Sequence, residues 1–433
     1  MIGTAITARV IPDEPKGTPP GRWLLARREW LRWLAASAVL AMVSPPVLAD
    51  ERGDGETAVF RATLEKFRKW LATCLAESRI DYGGGLRLHT PCTSGDYRGI
   101  WPDDFLFPLI VEPSLADAGT LNRALAFISD SVLDLPRVPD RVEADGLPVM
   151  QPGGLSHPHA QQMPLHLPAA WVRLLDCFQQ MGATIPRRAE WARLIQRSFA
   201  QVPFADGLAY IDPQQPGVGF GFHDPCAITG FELMSSLALY RGLQRAAALF
   251  AGEREPEVIQ RWTRQADAIR ANLHRLWDEQ AGAYLAGSRD CRQVNVWGNG
   301  LAYWLSDATK QRRIVAWFRA EREKIFRRGY TRQIAEPAGW QRQLVPVTLG
   351  TYTNGGYWST GTGFVLPAIA DQDGAFARQL TEQLEAHMEQ TGFAEWISAE
   401  GNGAGAKGFL MGIAMPAIAL KSILEKRPLL EYF

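Results

Sequence analysis

Apolar residues recur at three- and four-residue spacing through nine long segments: 57–79, 114–134, 160–181, 186–202, 229–251, 255–277, 310–322, 373–390 and 408–426. That period gathers them on one face of an α-helix, so all nine are predicted helices. In the first, Val59, Leu64, Phe67, Leu71 and Leu75 lie roughly on one face. In 229–251, Phe231, Leu233, Leu237, Leu239, Leu243 and Leu249 cover most of the circumference, which predicts a helix buried from both sides. Period-two alternation is scarce, so little strand is expected. Glycine and proline collect between the helices, at Gly83-Gly84-Gly85, Pro152-Gly153-Gly154, Pro216-Gly217, Gly298-Asn299-Gly300, Gly355-Gly356 and Gly401-Asn402-Gly403. No low-complexity linker divides them. The pattern predicts one all-α domain, residues 50–433, in which paired helices wrap around a centre and gather their loops at one end.

The first 49 residues carry a different pattern. A basic flank (Arg22, Arg27, Arg28, Arg32) precedes an apolar run from Trp33 to Val43 and ends in Val47-Leu48-Ala49. This is the layout of a secretory signal peptide, and it is too short for a comfortable membrane span. Arg27-Arg28 followed by Glu29, Trp30, Leu31 and Arg32 resembles a twin-arginine export signal, which places the protein in the periplasm or outside the cell. After cleavage, 40 basic residues face 43 acidic ones, so the zero charge of the whole chain becomes −3. That balance argues against bulk nucleic-acid binding, and no later segment is apolar and long enough for stable membrane insertion. The five cysteines are scattered without a C-x-x-C pair, so neither a metal cluster nor a defined disulfide set is indicated.

Fifteen tryptophans change the picture, because several fall in the loops beside carboxylates. Trp101-Pro102-Asp103-Asp104 sets two acids among aromatics, as helix caps or as ligand contacts. Asp224, in Phe220-Gly221-Phe222-His223-Asp224-Pro225, is either a cap for the next helix or a carboxyl kept protonated by apolar surroundings, as a general acid must be. The loop Thr351-Tyr352-Thr353-Asn354-Gly355-Gly356-Tyr357-Trp358-Ser359-Thr360-Gly361-Thr362-Gly363 offers stacking faces and hydrogen-bond donors, the ordinary chemistry of a sugar cleft, or else a tight Asn-Gly turn with core aromatics. The segment Asn295-Val296-Trp297-Gly298 is similar in kind. Glu395, between Phe393 and Trp396, supplies a second carboxylate far downstream. His157, His159 and His166 crowd one Pro-rich segment, which suits a sugar-contacting loop or a plain structural one better than a zinc site.

In order along the chain, these loops resemble those of the inverting (α/α)6-barrel glycoside hydrolases: trehalases, the processing α-glucosidase family and amylo-α-1,6-glucosidase-like proteins. Asn354-Gly355-Gly356-Tyr357-Trp358 resembles a loop found across that superfamily. Phe393-Ala394-Glu395-Trp396 resembles the segment that carries its catalytic base, and Gly99-Ile100-Trp101-Pro102-Asp103-Asp104 is similar to the segment that touches the innermost sugar. The resemblance implies an (α/α)6 toroid and an inverting hydrolase of an oligo- or disaccharide that needs no cofactor and no metal. Asp224 would be the acid, with Asp103 or Asp104 as rivals, and Glu395 the base. Inversion implies a carboxyl separation of about 6.5–9.5 Å. Trp101, Trp297, Tyr357, Trp358 and Trp396 would stack on sugar, and Asp103, Asp104, His157, His159, His223, Asn295 and Asn354 would hold its hydroxyls. Two rival enzyme readings remain at this point. A cleft centred on His157, His159 or His223 with Glu395 outside it would fit a polysaccharide lyase or sugar epimerase, and a close Asp104–Asp224 pair would fit an unsaturated-uronyl hydrolase. A non-catalytic sugar-binding protein is the third alternative.

Overall fold

A computed structural model of the chain describes residues 53–154, 159–160 and 162–433. The signal-like segment and His157 lie outside the described residues. Twelve helices alternate along the described chain: α1 (Gly53–Glu77), α2 (Pro102–Val111), α3 (Ala118–Val132), α4 (Leu167–Gln180), α5 (Arg188–Ala200), α6 (Leu233–Leu249), α7 (Pro256–Asn272), α8 (Val296–Ala302), α9 (Ala308–Ala320), α10 (Ser359–Gln372), α11 (Gly374–Met388) and α12 (Leu410–Glu425). A further single turn covers Arg322–Ile325.

The even-numbered helices form a closed inner ring. Helix α2 packs on α4, α4 on α6, α6 on α8, α8 on α10, α10 on α12, and α12 returns to α2. The odd-numbered helices run outside, with α7 against α6 and α11 against α10. The architecture is an (α/α)6 toroid. Among the described residues the strands are two to four residues long and pair into small antiparallel sheets in the connections. No helix among them is long and apolar enough to cross a membrane.

Inner and outer helices have different sequence signatures. Outer α7 buries only Val258, Trp262, Ala266 and Ile269, a single stripe at helical spacing. Inner α12 buries every residue from Leu410 to Leu420. Helices α2 and α10 are likewise buried nearly all round and contain Pro108 and Pro367. A helix buried on all sides has no polar face, hence no period to detect. Helices α2, α8 and α10 read as loops in the sequence although the structure makes them helices, whereas α12, equally buried, was legible. The inner helices also approach very closely. A Cβ on Gly363 of α10 would sit 2.5 Å from the Met415 backbone of α12, and one on Gly300 of α8 would strike the Phe364 carbonyl of α10.

Three predicted helices begin well after their apolar pattern, α3 at Ala118 rather than at Ser114. Helix α6 starts at Leu233 rather than at Thr229, because Gly230 takes φ +77° and Gly230–Phe231 pairs as strand. Helix α4 starts at Leu167 rather than at Ala160, with Pro168 in its first turn, where a proline costs no hydrogen bond.

Candidate active site

One end of the ring is hollowed into a cleft of about 490 Å³. Its walls come from the segments that lead into the inner helices: Tyr97 to Asp104 before and at the start of α2, Asp140, Arg141 and His159 before α4, Phe222 and Asp224 before α6, Tyr352 before α10, and Glu395 and Phe409 before α12. The N-terminal ends of helices carry partial positive charge. Their convergence helps offset a wall that carries seven carboxyl groups: Asp96, Asp103, Asp104, Asp140, Glu143, Asp224 and Glu395.

Glu395 and Asp224 share this cleft. Glu395 is 4% exposed. Its Oε1 accepts from the Tyr97 hydroxyl at 3.1 Å and its Oε2 from the Ala406 N–H at 3.0 Å. Burial, opposed by those donors and reinforced by the Asp224 charge, pushes it up to about 7. Asp224 caps no helix, since Glu232 takes that role at α6 and accepts from the Met234 and Ser235 amides. Its Oδ2 lies 2.8 Å from His159 Nδ1, and the Tyr352 hydroxyl donates to its Oδ1 at 3.4 Å. The apolar environment expected for Asp224 is therefore replaced by a histidine and a phenol. The contact with Asp224 raises the proton affinity of His159 despite partial burial. Tyr97 and Tyr352 are both pushed well above the usual phenol range, first by desolvation and then by the neighbouring carboxylates, so both remain O–H donors.

Backbone strain marks the same place. Tyr352 adopts φ +42° and Phe393, two residues before Glu395, φ +52°. Non-glycine residues in this region cost of order 1–3 kcal/mol and collect at functional sites.

Asp103 and Asp104 enter the cleft from the first turn of α2 without capping it. Asp103 accepts from Arg173 Nη2 at 2.8 Å. Arg173 is 1% exposed and sits between two rings, its Cζ 4.9 Å from the Phe107 centroid and 4.8 Å from that of Phe433. Asp104 Oδ1 is buried with no partner among the described residues. Burial, then Asp103, Glu395 and Asp140, push Asp104 well above the carboxylate range. Trp101 donates its indole N–H to Asp140 at 3.1 Å and carries the Arg141 guanidinium over its ring at 4.9 Å. Burial pushes Asp140 up to about 6 against the opposing charge of Arg141.

Of the residues singled out in the sequence, Trp101, Asp103, Asp104, His159, His166, Asp224 and Glu395 line this one cleft. His223, Asn295, Trp297, Asn354, Tyr357, Trp358 and Trp396 do not line the cleft. Trp297 and Trp358 are 0% and 1% exposed and pack edge to face in the core. Trp297 belongs to α8 and Trp358 precedes α10, so neither is a free loop residue. His223 packs against Trp297 and Trp340, and burial lowers it to about 3. Asn295 caps α8 by accepting from Gly298 N–H. Asn354 ties its own loop by accepting from Trp340 N–H and donating to the Val347 carbonyl. Tyr357 is fully buried and donates to Glu336 at 2.5 Å. Trp396 lies in a two-residue strand paired with Gly403–Ala404. The aromatic loops met in the sequence are largely the walls behind the cleft. Tyr97, Asp140, Arg141 and Phe409 were not foreseen. Tyr352, which does line the cleft, lay inside the singled-out loop 351–363 without a role of its own.

Comparison with known proteins bears on the fold. A mannosylglycerate hydrolase of glycoside hydrolase family 63 from Thermus thermophilus, solved with glucose, superposes with a TM-score of 0.55 at 16% identity, over 83% of this chain and all of that one. The same enzyme solved with Tris and D-glycerate gives 0.53 at 16% identity, over 81% of this chain and 99% of that one. A bacterial glucoamylase complexed with acarbose gives 0.55 at 14% identity, over 86% of this chain and 56% of that one. The chain has the fold of these glycoside hydrolases. No family model and no curated protein matches its sequence.

Proposed function

We propose that the cleft hydrolyses a glycosidic bond with inversion. The observation that carries this reading is the meeting of two carboxyl groups of unlike environment in one pocket, Asp224 against a histidine and Glu395 in a buried niche. Unlike surroundings are how two carboxyls in one site come to serve as acid and base. Asp224 delivers a proton to the leaving oxygen, with His159 keeping a proton on the pair. Glu395, held by Tyr97 and the Ala406 amide, deprotonates the attacking water. Asp104 holds a sugar hydroxyl by hydrogen bonding, and Trp101 supplies a stacking face. The glycosidase likeness of the fold supports the same reading.

The substrate is a neutral saccharide. Seven carboxyls around the cleft disfavour a uronate, which speaks against an unsaturated-uronyl hydrolase although Asp104 and Asp224 do line one pocket. The presence of Glu395 inside the cleft, and of His223 in the core, speaks against a histidine-centred lyase or epimerase. Glucosyl and mannosyl donors are the first to test, given the hydrolases that share the fold. NMR of the first-formed anomer should show inverted product. Asp224→Asn and Glu395→Gln should each lower kcat by about 10²–10⁴. Turnover indifferent to both substitutions, or absent on every donor, would instead leave a sugar-binding protein. We also propose twin-arginine export; Arg27→Lys with Arg28→Lys should retain the full-length precursor in the cytoplasm.

A further inference from the structure

Outside the cleft, a groove of about 620 Å³ runs between the turn Arg322–Ile325, the hairpin Phe326–Thr331 and helix α11. It continues into a second depression that shares Arg322, Phe376 and Gln379 with it. It shares no residue with the cleft. Its charge is also opposite to that of the cleft: Arg322, Arg327 and Arg328 line it against the single carboxylate Glu323.

Three features set it apart from an ordinary solvated arginine face. The His387 side chain, on the groove wall, is 7% exposed, and its Nδ1 is buried with no hydrogen-bond partner among the described residues. A buried polar atom left unpaired is destabilising, so its retention wants a reason. Arg327 repeats the pattern: its Nε is buried and unpartnered while its guanidinium lies over the Tyr357 ring at 5.8 Å. Arg328 takes φ +51° in the tight turn before Gly329, a position that asparagine or glycine fills without strain. The chain bears that strain and in return sets a guanidinium at the groove.

The remaining lining fixes the ligand class. Planar guanidinium forks match carboxylates. The side-chain amides of Gln379 and Gln383 stand one helical turn apart on α11 and suit hydroxyl groups. Phe376, partly buried and edge-on to Phe326 at 5.6 Å, offers an apolar face to sugar C–H groups. We propose that this groove is a second, non-catalytic carbohydrate site that binds the uronate units of an acidic polysaccharide and holds the enzyme on it. The cleft repels such units, so recognition and hydrolysis are divided between two surfaces.

Calorimetric titration of the full chain with tetragalacturonate tests this, with a neutral glucotetraose and inorganic phosphate as comparison ligands. Binding of the uronate alone is expected, weakened at least tenfold by Arg322→Gln with Arg328→Gln and weakened again at high salt. Both arginines are exposed, and the double variant should hydrolyse a neutral substrate at the wild-type rate. That readout separates the groove from the proposed catalysis, which can fail without affecting uronate binding. Arg328→Gly should weaken uronate binding while leaving the melting temperature at or above wild type, because glycine relieves the turn. The proposal is overturned if the uronate does not bind, if the double variant binds it unchanged, if Trp101→Ala in the cleft abolishes the binding, or if phosphate binds equally well and marks a bare anion site.

Discussion

At the scale of single residues, the acid and base are distinguished by what touches them. Glu395 titrates near 7 because it is buried, and only its ionised form can act as a base, so activity must rise with pH through about 7. His159 holds its proton above its ordinary value because Asp224 lies beside it, so the fall at higher pH belongs to that pair. These groups titrate as a set, and the limbs of the profile report the set. His159→Asn should therefore lower kcat/KM far more above pH 7 than below it, and a uniform loss across the profile would show that His159 only shapes the wall. The tryptophans make a second contrast. Trp101→Ala should raise KM with little change in melting temperature, because its ring lines the cleft. Trp297→Ala should cost about 3–5 kcal/mol in stability, as truncation of a fully buried aromatic does. Denaturant melts of the two variants should separate cleft tryptophan from core tryptophan, a distinction that neighbouring residue types did not reveal.

At the scale of elements, sequence patterning found the inner helices that follow His159, Asp224 and Glu395, namely α4, α6 and α12, and missed α2, α8 and α10. Helices α2 and α10 have no polar face, contain prolines and lie inside the ring. Outer helices such as α7 were legible because they face both core and water. Caps were ambiguous for a related reason. Asp224 and Glu232 stand eight residues apart in one glycine-rich segment, and only the folded chain shows that Glu232 does the capping. Glu232 is fully buried, and burial pushes it up to about 7 despite two backbone donors. A carboxyl raised in the folded state gives no penalty below its unfolded value near 4.5, and the penalty grows until pH passes about 7. Glu232→Gln keeps an acceptor for the cap, so its melting temperature relative to wild type should be higher at pH 8 than at pH 5. An equal difference at both values would show that the carboxyl carries no such penalty.

At the scale of the whole molecule, the ring is closed on itself and plugged along its centre. Phe433 is 2% exposed and packs on Phe107 of α2 and Phe364 of α10, and its carbonyl accepts from Arg245. Arg173 stands on it and holds Asp103 at the cleft floor. Replacing Arg173 by Met leaves Asp103 buried without its cation, a loss of about 3–5 kcal/mol when a buried pair is broken. Phe433→Leu should lower kcat/KM by more than its small loss of stability accounts for, because it loosens the guanidinium rather than the ring. Equal activity in that variant would assign Phe433 to packing alone.

The sequence by itself determined the helical alternation, the outer helices and the two carboxylates, because amphipathic period and an acid among aromatics are local patterns. Only the tertiary structure decided which aromatics are wall and which are core, which acid caps a helix, and that Tyr97, Asp140, Arg141 and Tyr352 meet Asp224 and Glu395. The physical reason is closure of the ring. It brings together the entrances of inner helices far apart along the chain and buries those helices on every side, so their residues bear no record of which direction faces the substrate.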